Sequence, residues 1–135
     1  QHLKILSNLT SDIRLAYDGD EAGVAAAERA IELASGLGID LTVISDYHGA
    51  KDPDELIQKD PKLWQEAVEK NVPAVMWLLD KYQEKFNLNS ATDKRKYSDI
   101  ALKLIDKIKV LSVTEVFAEA IKRIYNDQCL SSLFD

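Results

Sequence analysis

The sequence predicts an α/β portion, with parallel strands joined by a crossover helix, followed by an α-helical bundle. Three observations predict it. Two apolar runs, Ile13-Arg14-Leu15-Ala16-Tyr17 and Ile39-Asp40-Leu41-Thr42-Val43-Ile44, are each followed by a pair of acidic residues. Between the runs lies an alanine-rich segment of helical length, Glu21 to Ser35. Beyond Glu55 the apolar residues recur at helical spacing, with no further alternating or β-branched run. Strand, helix and strand in that order predict a right-handed crossover and adjacent parallel strands.

The elements follow in chain order. His2-Leu3-Lys4-Ile5-Leu6 reads as the end of a helix entered partway, leading through Asn8 to Asp12 into the first strand. In the crossover segment Ala22, Ala25, Ala26, Ala27, Ala30 and Ala34, with Val24, Ile31 and Leu33, make a slim helix suited to burial against a sheet. Gly36 and Gly38 supply its C-terminal stop and the turn into the second strand. Two parallel strands alone are marginal in water, so the sheet is expected to be incomplete, and the chain to be part of a larger enzyme or completed by another chain.

The helical portion begins with Asp60-Pro61, an N-cap followed by proline at the first helical position, carrying Leu63, Trp64, Ala67 and Val68. Pro73 opens the next helix, with Val75, Leu78, Leu79, Tyr82 and Phe86 on one face. The cleanest stripe is Tyr97, Ile100, Ala101, Leu104, Ile105 and Ile108, which Lys94, Arg95, Lys96, Lys103 and Lys107 avoid. Ser112-Val113-Thr114-Glu115 is a capping box for a last helix with Val113, Val116, Phe117, Ala120, Ile121, Ile124 and Tyr125 inward. The expected division is residues 1–60 for the α/β part and 61–135 for the helices.

Composition narrows the function classes. The 135 residues are 46% hydrophobic and 30% charged, which suits one compact unit and not a disordered chain. A net charge of −6 argues against a free-standing nucleic-acid binder, because affinity for phosphates comes from clustered Lys and Arg. Cys129 is the single cysteine, so neither an internal disulfide nor a cysteine-based zinc site exists, as in a reducing cytoplasm. No membrane-spanning run is present.

Chemistry is concentrated in two acidic segments, Asp18-Gly19-Asp20-Glu21-Ala22-Gly23 and Gly49-Ala50-Lys51-Asp52-Pro53-Asp54-Glu55. Acids one residue apart at a strand end share a side, and both pairs fall at the carboxyl edge where open α/β sheets collect ligands. Four carboxylates, Asp18, Asp20, Asp52 and Asp54, are thereby candidates to converge on a divalent cation. The plainer reading is capping: Asp20 for the alanine-rich helix, and Asp52 with Glu55 around Pro53. An EF-hand starting at Asp18 fails, with Ala22 at its fifth position and Arg29 at its twelfth. A haloacid-dehalogenase-type pattern would need Thr or Val where Ala22 stands. His48 beside the second pair reads as a solvated or capping loop side chain before a ligand, Lys94-Arg95-Lys96 as a solvated helix turn before a nucleic-acid contact, and Trp64 and Trp77 as core.

Leu15-Ala16-Tyr17-Asp18-Gly19-Asp20-Glu21-Ala22-Gly23, with Lys51-Asp52-Pro53-Asp54-Glu55, resembles bacterial DnaG-type DNA primases. Val72-Pro73-Ala74 entering a helix, and Asn89 to Arg95 before a long amphipathic helix, resemble the helical subdomain that follows the TOPRIM domain in that family. The Asp-x-Asp-x-x-Gly pattern alone is shared with topoisomerases and nucleases of the TOPRIM class; the primase likeness rests on the second segment and the helical tail.

The resemblance implies part of a core that synthesises RNA primers on single-stranded DNA by metal-dependent nucleotidyl transfer. It implies catalytic Asp18 and Asp20, a metal set of Asp18, Asp20, Asp52 and Asp54 for Mg²⁺ or Mn²⁺, and partners in template DNA, nucleoside triphosphates and the RNA–DNA primer duplex. The family's catalytic glutamate on an earlier strand, its zinc-binding domain, its basic N-terminal region and its helicase-binding C-terminal domain fall outside these residues. The chain alone is therefore expected to be inactive, with an open sheet edge that a neighbouring molecule could pair. The competing expectations are a TOPRIM nuclease or topoisomerase fragment, and a non-catalytic interaction module.

Overall fold

In a computed structural model of the chain, the described residues are 1–108 together with Ala118, Ile121 and Lys122. The chain divides into two compact units, Gln1–Leu78 and Leu79–Asp135.

The first unit runs α1 (His2–Ser7), β1 (Ile13–Leu15), α2 (Glu21–Leu37), β2 (Leu41–Val43), α3 (Pro53–Lys59), α4 (Pro61–Glu69) and β3 (Val72–Pro73), and α5 (Ala74–Gln83) begins in it. The sheet order is β1-β2-β3. β1 and β2 are parallel, Ile13 opposite Leu41 and Leu15 opposite Val43, as the strand–helix–strand order requires. The Ile44 N–H extends the ladder to the Leu15 carbonyl at 2.9 Å. β3 was not foreseen. It pairs antiparallel with β2, Val43 opposite Val72 and Thr42 opposite Pro73, and a two-residue strand ending in proline at a sheet edge carries no alternation to read.

α2 buries Val24, Ala27, Ala30, Ile31 and Ala34, a stripe at spacings of three and four. Leu33 lies two positions from Ile31, off that stripe, and is exposed. The helix runs through Gly36 and stops at Gly38, whose φ of 69° is the left-handed cap, with Ile39 N–H closing on the Ala34 carbonyl at 3.0 Å. Gly38 alone is therefore the stop, a correction to the expected glycine pair. A second cluster gathers Ile44, Leu56 and Ala67, with Tyr47, Ala50, Leu63, Trp64 and Val68 packed against it. Asp60 caps α4 by accepting from Lys62 N–H at 2.9 Å. The Arg14 guanidinium, gripped by Asp12, also donates to the Val68 carbonyl at 3.0 Å, tying β1 to the end of α4.

In the second unit α5 ends at Gln83, three residues before Phe86, because tighter i+3 bonds from Lys85 and Phe86 replace the helical ones. α6 (Ala91–Lys107) is capped by Ser90 and buries Tyr97, Ala101, Leu104 and Ile105 as its stripe foretold. Tyr97 is fully buried, donates to the Leu79 carbonyl at 3.4 Å, and meets Phe86 with ring centroids 6.3 Å apart. The capping box at Ser112 and most of the expected last helix lie outside the described residues. Ala118, Ile121 and Lys122 are helical. Ile121, expected inward, is exposed, and the residues around it that would define an inward face lie outside the described ones. No helix among the described residues is long and apolar enough to cross a membrane.

Candidate functional site

Both acidic segments follow the carboxyl ends of parallel neighbours. β1 stops at Leu15, so Asp18 stands three residues beyond the ladder and not at its last rung. Asp18 and Asp20 are both exposed. Asp20 is the N-cap of α2: its backbone is extended and its Oδ1 accepts from Gly23 N–H at 2.7 Å. Its other oxygen, and both oxygens of Asp18, have no protein partner among the described residues.

Gly23 has a role that sequence reading missed. The first turn of α2 lies so close to the preceding loop that a Cβ there would collide with the Asp18 carbonyl oxygen and sit 3.2 Å from Asp20 Oδ1. The glycine is thus what lets the helix start directly beneath both acids. The signal was present in the Asp-x-Asp-x-x-Gly spacing, read only as a pattern.

Asp52 is half-buried and caps α3, accepting from Glu55 N–H at 2.8 Å, with Pro53 at the first helical position. Glu55 turns back to accept from Lys51 N–H at 2.6 Å and pairs with Lys59 at 2.9 Å. The Lys51 hydrogen bond, then the Lys59 contact, hold its carboxyl below the usual glutamate range. Asp54 is exposed and accepts from the Gln58 amide at 2.9 Å.

The loop between β2 and Asp52 is built on two local turns. Asp46 Oδ1 accepts from His48 N–H at 2.8 Å, and Ala50 N–H closes on the Tyr47 carbonyl at 2.9 Å. His48 and Gly49, with φ of 51° and 77°, occupy the left-handed region between them. The Tyr47 hydroxyl donates to the Tyr17 carbonyl at 3.1 Å.

Both structural capping roles are thus present, and each uses one carboxylate oxygen, Asp20 Oδ1 and Asp52 Oδ1. Among the described residues, no group of three or more His, Cys, Asp or Glu side chains is arranged to hold a metal ion, so the four candidates do not form a closed cage. The donor chemistry, hard carboxylate oxygens on exposed Asp18, Asp20 and Asp54 and half-buried Asp52, fits a divalent cation that keeps much of its water, as Mg²⁺ does.

Residues 1–57, which carry the two parallel strands, the crossover helix and both acidic segments, match the Toprim-like family. The wider likeness is to DnaG-type DNA primases. The DNA primase of Borreliella burgdorferi is 27% identical over 119 residues, 88% of this chain and 23% of that protein. That of Escherichia coli K12 is 30% identical over 113 residues, 79% of this chain and 19% of that protein. A solved DnaG primase catalytic domain bound to ssDNA superposes with a TM-score of 0.73 at 24% identity, covering 91% of this chain and 40% of that one. The expected family resemblance and the α/β-then-helical fold are borne out. The chain spans about a fifth of the curated primases it matches. A short block of 32 residues is also 66% identical to a ribose-phosphate pyrophosphokinase of Clostridium acetobutylicum, covering 10% of that enzyme. So small a share of that enzyme carries no function across.

Proposed function

We propose that this chain is part of the catalytic core of a cytoplasmic DNA primase. In this reading Asp18 and Asp20, with Asp52 and Asp54, face the divalent cations of nucleotidyl transfer. The observation that carries the reading is the Asp18–Gly23 loop, where two exposed carboxylates sit at the start of α2, while the second acidic pair stands at the start of α3, in the connection that leaves the neighbouring parallel strand. The likeness supports it over 88% of the chain in sequence and 91% in fold. A TOPRIM nuclease or topoisomerase would use the same acids, and nothing in the helical tail favours one.

A bound Mg²⁺ or Mn²⁺ would neutralise triphosphate charge and favour ionisation of the primer 3′-hydroxyl. The chain's own part is to hold the acids in place. Asp20 and Asp52 are each fixed by a backbone N–H on one oxygen, which leaves the other for a ligand. Asp18, with no protein partner among the described residues, is left to adjust to the ligand. Template single-stranded DNA, nucleoside triphosphates and the primer duplex are the proposed partners, together with a replicative helicase reached through a domain outside these residues. With a net charge of −6, DNA affinity must come from cations or from a basic surface elsewhere.

Mn²⁺ titration followed by paramagnetic broadening tests the reading on the chain itself. Broadening centred on Gly19 and Gly49 in the wild type, absent from Asp18→Asn/Asp20→Asn, is the expected result. A wild type with sharp lines at millimolar Mn²⁺ would remove the metal assignment.

A further inference from the structure

The two acidic segments are connected by a contact that neither the ladder nor the helix caps supply. Tyr47 lies in the loop after β2, its ring half-buried against Ile44, Leu56 and Ala67. Its hydroxyl reaches back thirty residues to the carbonyl of Tyr17, immediately before Asp18. Tyr47 stands inside a tightly turned segment, between Asp46, which accepts from His48 N–H, and His48, a non-glycine residue at positive φ. Burial, and then the nearby charge of Asp18, make the phenol harder to ionise than usual, so it stays a neutral donor.

We propose that Tyr47 is a positioning residue, a clasp that fixes the Asp18–Asp20 loop against the loop leading to Asp52, so that the two acidic pairs keep one spacing. The side chain suits that role in three ways. Its ring is anchored in the same cluster as Leu56 of α3, the helix that Asp52 caps, so the clasp and the second acidic pair share one support. Its donor engages a backbone carbonyl and leaves the carboxylates to the ligand. A lysine in its place would bring a positive charge to the acids and compete with a cation. The functional importance of the clasp rests on the metal reading above, whereas its effect on loop order does not.

The test compares the whole chain with Tyr47→Phe, which keeps the ring and removes only the hydroxyl. The expected result has two parts. Backbone ¹⁵N order parameters at Asp18 and Gly19 fall toward the flexible range, below about 0.6. Mn²⁺ affinity drops about five-fold, while the chain stays folded and loses no more stability than one hydrogen bond contributes, about 1 kcal/mol. Asp18→Asn/Asp20→Asn should behave in the opposite way, losing Mn²⁺ while keeping loop order. Unchanged order parameters in Tyr47→Phe overturn the clasp, as does a Mn²⁺ affinity equal to wild type. If the wild type itself fails to bind Mn²⁺, the metal reading falls, and the order parameters alone still decide for or against the clasp.

Discussion

Asp20 illustrates how one carboxylate can serve two ends, and amide substitution separates them. Asparagine caps a helix about as well as aspartate but is a poor ligand for a hard cation. Asp20→Asn should therefore keep wild-type stability and lose Mn²⁺ broadening. Asp20→Ala should lose both, with a stability cost of about 1 kcal/mol by urea denaturation. Equal Mn²⁺ response in wild type and Asp20→Asn would reduce the residue to a cap. Gly23 makes the reverse point about intrinsic preference. Alanine is the better helix former by about 1 kcal/mol, yet at this position its methyl meets a backbone carbonyl that cannot rotate away. Gly23→Ala is expected to destabilise by roughly 1–3 kcal/mol and to displace the Asp18 loop, seen as shifted Asp18 and Gly19 amide resonances.

Among the elements, α3 has the most explicit start: proline first, Asp52 as cap, Glu55 reaching back to the Lys51 N–H. Because folding lowers the Glu55 pKa, its contribution is complete above the ordinary glutamate range and disappears as the pH falls through the lowered value. The Lys51 amide resonance should follow that titration, with a midpoint below that of a free glutamate. In Glu55→Gln the titration should vanish. Leu56 one residue on is fully buried in the Ile44–Ala67 cluster, and Leu56→Ala should cost roughly 2–5 kcal/mol in chemical denaturation. These features were legible beforehand because capping and helical stripes are local: the pattern at Asp52-Pro53-Asp54-Glu55, the Gly38 stop and the α6 stripe each declare themselves within a few residues. Other features were not legible for the same reason. The pairing of Val72 with Val43 and the reach of Tyr47 to Tyr17 join positions about thirty residues apart, and nothing local at either end records the partner. At the candidate site the acids and their capping spacing were readable, while which carboxylate oxygen each cap occupies emerges only from the fold.

At the scale of the whole chain, charge governs what the molecule can touch. An excess of six negative charges repels a phosphate backbone, so any DNA affinity should be cation-mediated and not driven by basic contacts. Fluorescence anisotropy of a labelled single strand is expected to report binding in Mg²⁺ or Mn²⁺ that EDTA reverses. Binding that persists in EDTA would point to the Lys and Arg residues of α6 in place of the acidic loops. The sheet has a further consequence, for synthesis on the ribosome. Its middle strand, β2, receives one partner from behind it in the chain and the other from ahead. When Val43 first emerges, β1 and α2 are already available, but one side of β2 has nothing to pair with until α3 and α4 have been made and Val72–Pro73 follows them. The nascent chain therefore carries an unfinished β edge through the translation of nearly thirty residues, an interval in which a chaperone or a neighbouring nascent chain can reach it.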